Sequence, residues 1–266
     1  MRLLPSSVAL LGLNTFIAAS KSYGTLGEKC PVDDVSVIAH NGTSVGREEV
    51  HDGVNLYITG DGSDTAVLYL TDIFGINLTE NRLLADSFGR AGFLTVAPDL
   101  FNGTPSPIDV NEPGFNVTQF LEKHGPAQID PLIDVAVRYL KGTVGVSKIV
   151  AAGYCFGGRY AFRYVASGKG ADAAFAAHPS LLEDVEIEAI EGPTAVAAAE
   201  NDSAMPPDRR HQITALLGNT TQPYNVALYS GTSHGFGVRA NVSDPQQKFG
   251  KESAFFQAVR WFENWA

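Results

Sequence analysis

The stretch KIVAAGYCFGGRYAFRYVASG, Lys148 to Gly168, decides how the rest of the chain is read. KIVAAG is apolar at successive positions, as a strand covered on both faces should be. CFGG is a sharp turn, and RYAFRYVASG carries a helical pattern. Strand, G-x-C-x-G, helix is the geometry that holds a nucleophile out at the carboxyl end of a sheet, with cysteine in the central place. Glycines flank it because the turn is strained and packs tightly between strand and helix. Cys155 would also stand at a helix N-terminus, whose partial positive charge favours a thiolate. An isolated G-x-C-x-G more often holds a buried structural cysteine, so its meaning rests on partners elsewhere.

Working outward, the same alternation recurs. NLYIT, AVLYLTD, FLTVAPDL, DAAFAAH, TAVAAAE and NVALYS read as further strands. Between them NRLLADSFGRAG, AQIDPLIDVAVRYLKG (stopping at Gly142), PPDRRHQITALLG and ESAFFQAVRWFENWA read as helices by their apolar steps and their proline and glycine ends. This alternation predicts one α/β domain over residues 21–266, with a mostly parallel sheet of about seven or eight strands flanked by helices. Residues 21–52 are only weakly strand-like, and Phe101 to Pro126 is the longest irregular stretch, read as a cap or surface loop.

A nucleophilic thiol needs a histidine to manage its proton and a carboxylate to orient that histidine. On such a sheet they follow in the order nucleophile, acid, histidine, each at the end of a later strand. TAVAAAE runs into Asp202, and NVALYS runs into the loop holding His234. The oxyanion of an attacked carbonyl would be met by the amide of Phe156 and by that of Ile73 or Phe74, in the loop after AVLYLTD. Asp72 ends that strand and is a candidate for sharing control of the thiol proton, or for capping the next turn. His178, Tyr160, Phe236 and Arg239 are candidate pocket residues.

Five motifs in order, LTDIFGIN, APDLF, GYCFGG, AENDS and SHGF, resemble the dienelactone hydrolase family from Gly53 to the C-terminus. The resemblance implies an α/β-hydrolase fold and a Cys-Asp-His triad of Cys155, Asp202 and His234. It sets Asp72 where the family has a thiol-activating glutamate, one methylene longer. It also shows departures. Asn102 and Gly103 stand where a carboxylate-binding arginine would follow PDLF, and Val238 stands where the second is expected, with Arg239 one residue beyond. Recognition of an anionic lactone is therefore not carried over. The expected activity is cofactor-free hydrolysis of a small ester or lactone; the alternative is a secreted ligand-binding glycoprotein on the same fold.

Composition narrows the partners. A formal net charge of -10 argues against nucleic acid, which needs clustered Lys and Arg. No spacing of the His and Cys residues suggests a metal, so none is expected. Residues 1–20, with Arg2, an apolar run and the small Ala18, Ala19 and Ser20, have the layout of a cleaved secretory signal, implying an extracellular protein. That run is too short for a membrane anchor, and the mature protein is expected as a monomer or weak homodimer. Sequons at Asn41, Asn77, Asn102, Asn116, Asn219 and Asn241 are candidate glycosylation sites; Asn201, beside Asp202, is a poor one. Of the two cysteines, Cys30 could be free or could bridge Cys155 and silence it.

Overall fold

The computed structural model describes residues 37–61 and 64–266. The expected leader over residues 1–20 and Cys30 lie outside the described residues. An eight-stranded sheet runs in the order β1-β2-β4-β3-β5-β6-β7-β8. The seven expected strands are β2 (Val54–Thr59), β3 (Thr65–Leu70), β4 (Leu94–Pro98), β5 (Lys148–Tyr154), β6 (Ala173–Ala177), β7 (Thr194–Asn201) and β8 (Tyr224–Ser233). The eighth, β1 (Arg47–His51), falls in the stretch read as only weakly strand-like. It forms an antiparallel hairpin with β2 through Asp52 and Gly53, whose φ values are 47° and 82°. Two left-handed residues make the tight turn that matches strand twist, and Asp-Gly is a common sequence for it. β2 is also antiparallel to β4, and all pairs from β4 through β3 to β8 are parallel.

The helices are α1 (Thr79–Arg90), α2 (Val117–Lys123), α3 (Pro126–Arg138), α4 (Phe156–Tyr164), α5 (Asp184–Glu188), α6 (Pro207–Asn219), α7 (Phe236–Arg239) and α8 (Pro245–Trp265). Five depart from expectation, two of them, the short α5 and α7, because no helix was read there. α2 lies inside the stretch read as irregular, where the Asn116 side chain accepts from the Gln119 amide and starts it. α3 runs past Gly142 through a π-turn over Tyr139–Val144 and stops at Gly145, whose φ of 81° ends it. α8 starts at Asp244, which caps the Gln246 and Gln247 amides, with Pro245 in the first turn.

The continuous apolar runs of the central strands divide between two cores. Leu68, Leu70, Ile149, Ala151, Ala174, Ala176, Val196 and Ala198 face the side covered by residues of α3, α4 and α6. Their neighbours Val67, Tyr69, Val150, Ala152, Phe175 and Ala197 face the side covered by α1 and α8. Both faces exclude water, so the alternation typical of a half-exposed sheet disappears from the sequence.

Gly157 is where α4 meets β3. A Cβ there would fall 2.1 Å from the Leu70 carbonyl oxygen and 2.7 Å from that of Thr71, both rigid backbone. Gly157→Ala should therefore lower stability by about 3 kcal/mol, the upper range for overpacking a core. Gly142 has nothing within 4 Å of its Cβ position, and Gly142→Ala should be neutral or stabilising by about 0.5–1 kcal/mol. Urea denaturation of the two variants gives the comparison; equal midpoints would refute the steric account.

Candidate active site

β5 ends at Tyr154, and Cys155 follows with φ 52° and ψ −112°, a conformation that L-residues avoid. Three backbone bonds hold it there. Cys155 donates to Ala177 O at 3.0 Å, Gly157 to Thr71 O at 3.0 Å and Gly158 back to Cys155 O at 3.0 Å. Gly153 clears the way: a Cβ on it would lie 2.2 Å from Gly157 O. The sulfur thus stands at the carboxyl ends of β3, β5 and β6, almost covered but not sealed, with the residue 8% exposed.

Asp202 and His234 reach this point through an irregularity between β7 and β8. The two strands keep register as far as Ala199 and Tyr229, then shift so that Asn201 faces Ser233. His234 N donates to Asn201 O at 3.2 Å, which sets the residues after each strand side by side. His234 Nδ1 lies 2.9 Å from both carboxylate oxygens of Asp202. Asp202 Oδ1 also accepts from the amides of Ala204 at 2.8 Å and Met205 at 3.1 Å. The other ring nitrogen, Nε2, is 3.0 Å from Cys155 Sγ. Burial opposes a charge on this ring, but the hydrogen bonds and charges of Asp202 and Cys155 outweigh it and push its pKa up to about 10.

Asp72 is fully buried at the end of β3, and its carboxylate has three polar partners. Oδ1 accepts from Asn81 Nδ2 at 2.8 Å and from the Phe74 amide at 3.2 Å, and Oδ2 lies 3.4 Å from Arg239 Nε. Burial raises its pKa despite the opposing pull of Asn81, Arg239 and the Phe74 amide. Its bonds to the Phe74 amide and to Asn81, at the start of α1, shape the Ile73–Phe74 loop. The two expected donors differ in their bonding. The Phe74 amide is committed to Asp72, whereas the amides of Ile73 and Phe156 have no acceptor among the described residues.

The four pocket candidates separate sharply. Tyr160 is buried in the core, its hydroxyl donating to His124 O at 3.2 Å. Phe236 is buried against His178 and Tyr229. His178 is fully buried behind the site, its ring edge-on to His234 at 5.1 Å. Burial, together with the charges of His234 and Arg239, holds His178 well below the usual histidine pKa, so it stays neutral. Only Arg239 reaches the surface, with its guanidinium carbon 4.1 Å from the centre of the Phe74 ring.

Two neighbours were not singled out from sequence. Asn81, which holds Asp72, looks like any polar residue in the first turn of a helix. Ser180 Oγ lies 3.7 Å from Cys155 Sγ; its place just past β6, the strand beside β5, was the available signal. Among the described residues no group of three or more His, Cys, Asp or Glu could hold a metal ion.

A model of the dienelactone hydrolase family matches residues 55–266. The chain is 36% identical over 229 residues to "Hydrolase pyvD" of Aspergillus violaceofuscus, covering 85% of this chain and 93% of that protein. It is 34% identical over 238 residues to "Hydrolase tropI" of Talaromyces stipitatus, covering 85% and 92%. A putative dienelactone hydrolase from Klebsiella pneumoniae superposes with a TM-score of 0.65 at 18% identity, over 84% of this chain and 99% of that one, a likeness of fold.

The raised pKa of His234 has a measurable consequence for stability. The folded protein retains a proton there that the unfolded chain, near the ordinary 6.5, gives up earlier as pH rises. This contribution is fully present below pH 6.5 and is lost as pH approaches about 10. Urea titrations of wild type and His234→Gln across that interval should show the wild type's relative stability declining as pH rises. A difference that stays constant would contradict the assignment.

Proposed function

Because this chain belongs to the dienelactone hydrolase family and is an ester or lactone hydrolase, we propose that Cys155 is its nucleophile, working with His234 and Asp202. The observation that carries this reading is the unbroken line from the Asp202 carboxylate through His234 to the sulfur, with contacts of 2.9 and 3.0 Å. An imidazole that keeps its proton to about pH 10, at contact distance from a thiol, favours a thiolate–imidazolium pair at rest.

The steps follow from that pair. The sulfur attacks the substrate carbonyl carbon, and the carbonyl electrons move to oxygen, which the Phe156 and Ile73 amides receive. As the carbonyl re-forms, the bond to the leaving oxygen breaks and His234 Nε2 gives that oxygen its proton. In a lactone this opens the ring, leaving a hydroxyl or enol on the acyl chain. The thioester remains on Cys155. Neutral His234 then takes a proton from water, whose oxygen attacks the thioester carbon. Collapse of the second intermediate expels the thiolate and releases the carboxylic acid, restoring the imidazolium. Asp202 keeps the ring in the tautomer and orientation that serve both halves. No step requires a cofactor.

From the first tetrahedral intermediate a thiolate departs more readily than an unactivated amine, so activated esters, enol lactones and thioesters suit this site and unactivated amides do not. Arg239, held over Phe74 at the surface, is the candidate for orienting the substrate. We further propose that the protein is secreted. In support, Asn41, Asn77, Asn102, Asn116, Asn219 and Asn241 are all exposed, as glycan acceptors must be. Among the described residues, no helix is long and apolar enough to cross a membrane.

On a panel of p-nitrophenyl esters, enol lactones and thioesters, Cys155→Ala should lower kcat/KM by about a thousandfold or more. Iodoacetamide at pH 6 should label wild-type Cys155 faster than the same cysteine in His234→Ala, which lacks the imidazole that takes the thiol's proton. Full turnover in Cys155→Ala, or a Cys30–Cys155 disulfide recovered from active protein, would overturn the thiolate reading.

A further inference from the structure

The sulfur of Cys155 has a second polar neighbour. The Ser180 hydroxyl stands 3.7 Å from Sγ and has no other partner among the described residues. Its position is heavily determined. Ser180 donates its amide to Cys155 O at 3.1 Å, and Cys155 donates to Ala177 O at 3.0 Å, so the turn after β6 is bonded to the elbow at two points. His178 N donates to Ala197 O at 2.8 Å and anchors the turn to β7. Pro179 packs so closely on Gly158 that a Cβ there would fall 2.8 Å from Pro179 Cβ. His178 and Leu181, on either side of the Pro179–Ser180 pair, have φ values of 39° and 59°. Two left-handed L-residues within four positions are strain that persists only where surroundings enforce it, and such strain gathers at working sites.

We infer that Ser180 is a further catalytic residue whose hydroxyl donates to the sulfur of Cys155 whenever that sulfur carries charge. This rests on the thiolate reading above and adds a division of labour to it. The imidazole manages protons, while the hydroxyl contacts the sulfur as a separate donor and keeps its own proton throughout.

The effect on the two half-reactions differs. At rest the hydroxyl stabilises the thiolate, which does nothing to speed attack on the substrate. Once the thioester has formed, the sulfur is neutral and the contact is weak. When the second tetrahedral intermediate collapses, the oxygen's electrons rebuild the carbonyl and the C–S pair returns to sulfur. Charge develops 3.7 Å from a hydroxyl already in place, so the donor strengthens as the bond breaks. Ser180 thus assists deacylation and leaves acylation unassisted.

The experiment measures both half-reactions in wild type and Ser180→Ala with a p-nitrophenyl ester. Acylation is read as p-nitrophenol release with enzyme in excess. Deacylation is read as the decay of the acyl-enzyme by quenched intact-mass spectrometry. In Ser180→Ala, decay should slow about tenfold, the scale of one hydrogen bond to a charged group, while acylation is unchanged or faster. A decay rate equal to wild type would overturn the proposal. So would an equal fall in both rates, which is what general damage to the turn would produce. If wild-type Cys155 is neither acylated nor alkylated by iodoacetamide, the thiolate reading fails, and this inference fails with it.

Discussion

The site depends on one residue of backbone being held where it does not rest by itself. With φ at 52°, Cys155 carries a conformational cost of about 1–3 kcal/mol, set against the bonds and packing around it. Were it to relax, the sulfur would swing off the line to His234, and the 3.0 Å contact would be lost. The constraint reaches outward in a short chain of causes. Gly153 and Gly157 must lack side chains for the turn to close. The carbonyls of Thr71 and Ala177 must be present to receive the Gly157 and Cys155 amides. The strands on both sides of β5 therefore shape the elbow as much as its own sequence does.

Electrostatics at the site is a matter of paired groups given different surroundings. Two histidines lie with ring centres 5.1 Å apart. His234 touches a carboxylate and a sulfur and holds its proton to about pH 10. The ring nitrogens of His178 have no hydrogen-bond partner among the described residues, and burial keeps it neutral. A second charged imidazole there would repel the first, so the apolar enclosure of His178 keeps the proton of the pair on the ring that faces the sulfur. The two aspartates divide in the same way. Asp202 turns its carboxylate to His234 and is braced by two amides. Asp72 spends its oxygens on Asn81, Phe74 and Arg239.

Asp72 links that electrostatics to shape. By taking the Phe74 amide it leaves the Ile73 amide unclaimed, and Ile73 O in turn accepts from the Ser106 amide at 2.9 Å. The excursion between β4 and α3 is therefore tied to the loop expected to receive the oxyanion. Its inner side is aromatic: Phe101 packs on Phe120, on His124 and on Phe156, the first residue after the elbow. Changes in that excursion should be felt at the site through these rings and through Ser106.

What could be read from sequence and what could not divide along physical lines. The strand–turn–helix around Cys155 and the two cores were legible because they are local, set by burial and glycine placement. Asp202 and His234 were legible because parallel strands all end at one edge, so a residue just past a strand end has few places to be. β1 and α2 were missed for the opposite reason. One is an exposed edge strand whose pairing, not its composition, makes it a strand, and the other begins with a side-chain cap at Asn116. The roles of Asp72, Phe74, His178 and Ser180 belong to tertiary structure alone. The chain itself determined which chemical groups arrive at the edge of the sheet. Only the packing of one loop against another decided which amide is left free, which imidazole is charged and which hydroxyl meets the sulfur, because those properties depend on neighbours distant along the chain.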